Sequence, residues 1–435
     1  MKKFLTVLAA VGFTVLCSIR SSYAGEIDLL LQKLVDKGVL TAGEAQQVKT
    51  ETQEQVKKEI AQGKNASLPQ WVQNIKLKGD FRLREEWRKD KGQDDLSRTR
   101  IRVRLGLEDK INPKLKLAVG IATGNPKDPR SRNITLGTTG ESTNTDWDAG
   151  SAKNIVLDYA YAEWTATKWM TLTGGKFQNP LWRPADILWK SDITPEGAAA
   201  NFNYNLNPKF NLFMNDMLFI LRNPDAAGGK QPILVALQPG FNASITDNTN
   251  VKFAVTGYIF NQLKGSPIFE YSKGSPPNGN SGETSAGNGS YIYNYNSVNP
   301  NLEIGFKEPF KGLIPYASIY GDYIYNVSLP STATGAGGFD IGVKFGAESV
   351  ADWGQWQVKL TYQKLGRDSW VDAFTDVDRY SGKTNAKVYK ANLDYGLGKN
   401  TWLTLAYYYG ESLTKLAGVG RAPENLIQAD WNMKF

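Results

Sequence analysis

From Ile75 to the end of the chain, apolar and polar residues alternate with a period of two, which puts them on opposite faces of β-strands. Ile75, Leu77, Phe81 and Leu83 oppose Lys76, Lys78, Asp80, Arg82 and Arg84. After a short polar turn, Ile101, Val103, Leu105 and Leu107 oppose Arg98, Arg100, Arg102 and Arg104. The pattern recurs in 115–121, 155–161, 251–259, 339–345, 356–362, 389–397 and 403–409, and less regular stretches near residues 169, 200, 212, 235, 303 and 318 fill the gaps. At the C-terminus, Ile427, Ala429, Trp431, Met433 and Phe435 face one way and Gln428, Asp430, Asn432 and Lys434 the other. The count is about sixteen strands, within the range of closed antiparallel barrels.

Connection lengths sharpen this expectation. Tight links at Asp109-Lys110-Ile111-Asn112-Pro113, Asn207-Pro208 and Gly398-Lys399-Asn400 take turns with long polar segments at 124–152, 177–195, 261–297, 368–383 and 412–424. Short turns on one side and long loops on the other predict an all-β transmembrane barrel of the outer membrane. With the N-terminus in the periplasm, every long loop falls outside and the C-terminus returns inside. The stretch 275–290, rich in Gly, Ser, Asn and Pro, reads as a surface loop without a packed core. Tyr159, Tyr161, Tyr407, Tyr409 and Trp431 lie near strand ends, where interfacial aromatic girdles belong. The ending itself resembles the last strand of bacterial outer-membrane barrels, and that resemblance implies that Trp431 and Phe435 belong to an assembly signal read by the barrel-assembly machinery.

Residues 26–63 follow a different period. Ile27, Leu30, Leu31, Leu34 and Val35 recur at helical spacing, Gly38 supplies a stop, and Thr41-Ala42-Gly43-Glu44 has the form of a capping box for a second, mostly polar helix. Its apolar stripe is thin, which leaves a weak coiled coil and a solvated periplasmic appendage both open. Ahead of it, Lys2 and Lys3, an apolar run from Phe4 to Leu16 and Ser22-Tyr23-Ala24 have the order of a secretory signal peptide. The expected division is therefore 1–24 signal peptide, 25–66 helical segment and 71–435 barrel, in a protein exported to the outer membrane of a Gram-negative cell.

Composition removes most enzymatic readings. The chain has no histidine, and its one cysteine, Cys17, falls in the expected signal segment. Ser-His-Asp triads, zinc sites built on histidine, and disulfides in the mature chain are excluded on that basis. No enzyme activity, cofactor or metal is expected. Net charge is +8, and without Lys2, Lys3 and Arg20 it is +5, a modest excess whose placement matters more than its size.

That placement is the main functional clue. Arg98, Arg100, Arg102 and Arg104 facing lipid would cost about 2 to 4 kcal/mol each near the midplane, so they are expected to line the lumen. There Arg82 and Arg84 of the preceding strand join them in a basic wall that favours anions. Pairing with inward Asp80, Glu86 and Asp158 is the competing use of these arginines. The second candidate is the loop 177–195, where Phe177, Leu181, Trp182, Ile187, Leu188 and Trp189 need burial beside Lys176, Arg183, Asp186 and Asp192. Folding inward as a constriction satisfies both sets. A compact cap over the outer rim is the alternative.

Gly175-Lys176, Asn179-Pro180, Asp186-Ile187-Leu188-Trp189 and Pro195-Glu196-Gly197, preceded by 157–164, resemble the motif block of the putative porin family of Gram-negative bacteria. Lys190 departs from the acid expected after the tryptophan. The resemblance implies an outer-membrane channel with no defined substrate. The expected function is passive diffusion of small hydrophilic solutes with anion preference, in contact with outer-membrane lipid and lipopolysaccharide, in a possible homotrimer and without nucleic acid. A substrate-specific channel for phosphate, organic acids or sugars is the alternative, and a structural or adhesive outer-membrane protein a third.

Overall fold

The computed structural model describes residues 31, 33–61, 74–90, 95–137, 152–223, 229–269, 279–280, 289–414 and 422–435. The expected signal segment 1–24 and most of the surface-loop stretch 275–290 lie outside these residues. Two units are separate, one up to Gln73 and one from Asn74 onward.

In the first unit, α1 (Ala42–Ala61) begins at the expected capping box. Glu44 N–H donates to Thr41 Oγ1 at 3.3 Å and Thr41 N–H to Glu44 Oε2 at 2.8 Å, so two helix-end donors are satisfied reciprocally. The preceding turn ends at Gly38, whose φ of +68° is open to glycine and strained for residues with a Cβ. No helix among the described residues is long and apolar enough to cross a membrane.

The second unit is a closed antiparallel barrel. Its strands are β1 (Lys76–Asp90), β2 (Leu96–Asn112), β3 (Leu115–Thr123), β4 (Ile134–Thr135), β5 (Ile155–Thr167), β6 (Met170–Lys176), β7 (Glu196–Asn207), β8 (Phe210–Ile220) and β9 (Ile233–Ser244). They continue with β10 (Thr249–Asn261), β11 (Ser297–Phe310), β12 (Ile314–Asn326), β13 (Gly337–Gly346), β14 (Trp356–Leu365), β15 (Ala386–Gly398), β16 (Thr401–Ser412) and β17 (Glu424–Lys434). Sixteen of these form the wall and pair with their neighbours in chain order; β4, two residues long, lies on β2 beyond the end of β3. The ring closes where β1 pairs with β17, with Leu83 opposite Trp431 and Arg84 opposite Asp430. Closure leaves no edge with unpaired backbone groups, which a hydrocarbon surrounding demands.

Register makes the barrel inside-out relative to a water-soluble sandwich. Leu105, Leu107, Val119, Ile121, Leu157, Ile259, Ile341, Leu405 and Trp431 are exposed on the outer face, while Arg84, Glu86, Asp158, Gln238, Asn301 and Asp340 are buried on the inner one. This is the expected lipid-facing parity. Two aromatics depart from it. A register shift between Gly120 and Ile121 on β3 turns Tyr159 and Tyr161 of β5 inward, so they are not part of a girdle. Tyr159 lies over Gly106 and Gly120, where an added Cβ would run into its hydroxyl or ring. Tyr407 and Trp431 stay exposed on the outer face, and Tyr409 packs on the exposed Tyr389 with ring centres 6.3 Å apart.

Connections alternate as expected. Turns such as 113–114, 168–169, 208–209 and 399–400 are short, and the opposite end carries the connections 124–154, 177–195, 262–296 and 366–385. Two of these segments, 177–195 and 366–385, fill the interior, and Leu263, Ile268, Phe269, Tyr291 and Tyr295 of 262–296 join the same buried cluster.

Candidate functional site in the barrel interior

The β1–β2 register places Arg82 opposite Arg102 and Arg84 opposite Arg100, flanked by Asp80 opposite Arg104 and Glu86 opposite Arg98. Like charges at directly opposite positions repel, so carboxylates must be recruited from other elements. Asp430 of β17 takes Arg84 in a two-pronged bond, both contacts at 2.7 Å, and stands 3.7 Å from Arg82. Asp80 accepts from Arg102 at 2.9 Å and Arg104 at 2.6 Å. Glu86 holds Arg98 at 2.5 Å and stands 3.6 Å from Arg100. Asp158, expected as another partner, binds Arg132 at 2.7 Å instead. Arg82 donates to Asn133 Oδ1 at 2.6 Å. The carboxylates are shared between arginines, and Arg98 and Arg104 remain the most open of the six, each with 28% of its side chain exposed.

The loop 177–195 has no regular secondary structure but buries Phe177, Leu181, Ile187, Leu188, Trp189 and Ile193. Their partners are inward residues of the wall, Met217, Leu234, Tyr258, Phe260 and Leu365, together with Trp370, Val371 and Phe374 of the connection 366–385. Burying such side chains is worth about 1.5 to 3 kcal/mol each, enough to draw the loop off the rim. Trp189 stacks on Phe374 with ring centres 4.8 Å apart and donates Nε1–H to Tyr258 Oη at 3.2 Å. Trp370 Nε1–H donates to the Leu188 carbonyl at 2.7 Å.

Polar anchors fix this loop to three sectors of the wall. Gln238 of β9 accepts from Trp182 N–H at 2.7 Å and donates to the Trp182 carbonyl at 2.8 Å. Asp186 accepts from Lys390 of β15 at 2.6 Å and from Gln363 of β14 at 3.2 Å. Asp192 stands 3.6 Å from Arg102 and 3.5 Å from Arg104 on the arginine wall. Arg183 donates to the Trp189 carbonyl at 3.2 Å within the loop. Lys176, at the end of β6, binds Glu196 at 2.7 Å across the loop's base. Burial alone would raise the Asp192 carboxyl, but Arg102, Lys190, Arg104 and Arg82 outweigh it and hold the group down at about 2.

The connection 366–385, by composition a polar outer loop, is also drawn inward. Lys190 reaches across to Asp376 at 2.5 Å and Asp378 at 3.0 Å, and Asp378 also binds Arg84 at 3.1 Å. The two segments are thereby locked to each other and to the arginine wall. Burial opposes ionisation of Asp378, yet Lys190 and Arg84 hold its carboxyl well below the usual range. Lys190 is in turn raised above the ordinary lysine value, because these carboxylates exceed the effect of burial. The signal was present in the sequence: Trp370, Val371 and Phe374 among Asp368, Asp372, Asp376 and Asp378 repeat the mixture that singled out 177–195.

A different surface lines β7 to β10. Inward positions there carry amides: Asn201 donates to Asn215 at 2.8 Å, Asn211 to Asn203 and Asn205 at 2.7 Å, and Asn250 to Asn242 at 2.7 Å. Phe213 lies over Gly240, where an added Cβ would run into the ring. Sequence periodicity gave no weight to these uncharged positions. No group of acidic, histidine or cysteine side chains among the described residues could hold a metal ion.

Residues 37–94, 86–300 and 318–435 match the model of a protein family described as Putative porin. The chain belongs to this family. The porin fold is also seen in solved structures at low identity. Pseudomonas putida OprB at high pH matches with a TM-score of 0.51 at 10% identity, covering 83% of this chain and 94% of that one. Salmonella typhi OmpF in complex with daunomycin matches with a TM-score of 0.45 at 11% identity, covering 83% and 97%. Vibrio cholerae OmpT, in vitro folded and in a trimer form, gives 0.44 at 12% identity, covering 83% and 99%. No curated protein matches the sequence. Family and barrel together make this porin a channel protein of the Gram-negative outer membrane.

Proposed function

We propose that this porin is a passive diffusion channel for small hydrophilic solutes in which the loop 177–195 sets the constriction and the arginine wall gives a preference for anions. The observation that carries the reading is the attachment of one loop to three sectors of the wall, through Gln238, Lys390 and the Arg102–Arg104 pair. A segment held this way narrows the lumen beside the arginines, where a permeating ion is within a Debye length of them. The anion preference is modest, because Asp80, Glu86, Asp192, Asp378 and Asp430 share the arginines' charge. Arg98 and Arg104, the most open, act on passing ions, Arg104 while also anchoring Asp192, and Arg82, Arg84, Arg100 and Arg102 mainly hold the loops. Export by a signal peptide, a periplasmic helical segment, assembly signalled by Trp431 and Phe435, and a homotrimeric state belong to the same reading.

Planar-bilayer recording under a potassium chloride gradient tests it. A reversal potential on the anion-selective side is expected, moving toward cations in Arg98→Gln/Arg104→Gln. Cation selectivity of the unaltered channel refutes the anion preference, and an absence of conductance refutes the channel.

A further inference from the structure

We propose that the lumen carries a binding site for acidic carbohydrates, solutes that combine several hydroxyls with one carboxylate, at Trp182 where the loop 177–195 meets β8, β9 and β10. The inference rests on the channel reading and names its solute class.

Three observations converge on this spot. Lys252 Nζ stands 4.6 Å from the centre of the Trp182 ring and 5.1 Å from that of Phe213. Among the described residues it forms no ion pair: Glu303, opposite it in register, is instead 3.5 Å from Lys344. Lys252 is therefore a lumenal cation resting on aromatic faces, and a solute carboxylate can supply the partner the wall does not.

The second observation is the fixed orientation of Trp182. Both its backbone polar groups are held by Gln238, and its ring meets Phe213 edge-on at 77° with centres 6.4 Å apart. Trp189 of the same loop is buried to 1% exposure, whereas Trp182 is only partly buried. A rigid, partly exposed indole offers a flat apolar surface to the C–H face of a sugar ring.

The third is the amide surface beside it. Gln238 itself is fully buried and accepts from Asn215 at 3.0 Å, while Asn215, which accepts from Asn201 at 2.8 Å, and Asn201 are only partly buried. The amides of Asn201 and Asn215 are both donors and acceptors, as is a hydroxyl, so a hydroxylated solute can bond to them in either sense. An inorganic phosphate, which has no apolar face, would make no use of the indole. A simple carboxylate would make no use of the amides.

The test is single-channel recording on the full-length protein with glucuronate, glucose and acetate as blockers. Glucuronate is expected to reduce the current at a concentration about tenfold below that needed for glucose, the effect of one charge-assisted contact, and below that needed for acetate, which lacks the ring and the hydroxyls. Lys252→Met should bring glucuronate to the level of glucose, and Trp182→Ala should weaken block by both sugars. Glucuronate no better than acetate overturns hydroxyl recognition. Glucuronate no better than glucose, or unaffected by Lys252→Met, overturns the role of Lys252. Saturable quenching of tryptophan fluorescence by glucuronate in the unaltered protein reads the site without any variant, and its absence overturns the proposal. A conducting channel that no sugar acid blocks leaves the channel reading standing, whereas a protein without conductance brings that reading down.

Discussion

At the scale of single residues, two loop carboxylates decide how firmly the interior is filled. Asp192 is held at about 2, and Asp378 lies well below the ordinary range. A carboxyl depressed in the folded state contributes stability that is complete above its unfolded value near 4 and is lost as pH falls through the folded value. The loop seat is therefore expected to persist at pH 4 and to loosen only near pH 2, read as constant tryptophan fluorescence and conductance from pH 7 to 4 with a change below about 3. Replacement tests the same contact without acid. Asp378→Ala leaves Arg84 and Lys190 buried beside fewer carboxylates. Removing one partner of such a pair typically costs about 3 to 5 kcal/mol, so the variant is expected to show larger and noisier single-channel currents. Unchanged currents would mean that the remaining anchors and the apolar packing seat the loop without Asp378.

At the scale of elements, the seat is built from two segments of similar chemistry, 177–195 and 366–385, that interlock through Trp189, Trp370 and Phe374. Deleting 179–193 should raise conductance severalfold and also release 366–385, because Phe374 loses its stacking partner and Asp376 its lysine. Limited proteolysis near Ser381 would report that release; continued protection there would show that the second segment is held independently, by Arg84 and Arg88. The strands were legible in the sequence because a lipid-facing side must be apolar throughout, which makes period two strict and sets the parity of Arg98 to Arg104. The inward course of 177–195 was legible as the preferred one over a cap on the rim, since Trp182, Trp189 and Leu188 in a polar connection require cover. Its partner was not, because Trp370 and Phe374 are sparse among acids and nothing local says which wall those acids face. Tyr159 and Tyr161 were misplaced for a related reason. One register shift beside Gly120 reverses their side, and a bulge leaves no mark in hydrophobic periodicity. The carboxylate Asp430 was visible as an inward residue of the last strand, but its bond to Arg84 depends on barrel closure, a pairing across 346 positions.

At the scale of the whole molecule, that closure is where fold and assembly meet. β17 pairs with β1 from Asp80–Lys434 to Asp90–Glu424, and Phe435 adds two backbone bonds to Gly79, at 2.9 and 3.0 Å. The Phe435 ring lies where a Cβ on Gly79 would meet it at 2.5 Å, so glycine makes room for the terminal aromatic on the outer face. Losing Phe435 removes two hydrogen bonds of roughly 0.5 to 1.5 kcal/mol each and one ring, a small part of a seam that keeps all its other pairs. A large assembly defect in a chain lacking Phe435 would therefore exceed what closure energetics supply and point to recognition of that aromatic side chain. Phe435→Ala separates the two causes, because it keeps the two backbone bonds to Gly79 while removing the ring. The expectation is a severalfold loss of the heat-modifiable, membrane-inserted form both without Phe435 and in Phe435→Ala, with normal conductance in whatever fraction of either inserts. Near-normal levels in Phe435→Ala alone would assign the residue to the seam itself, and normal levels in both would leave Phe435 without a role in assembly.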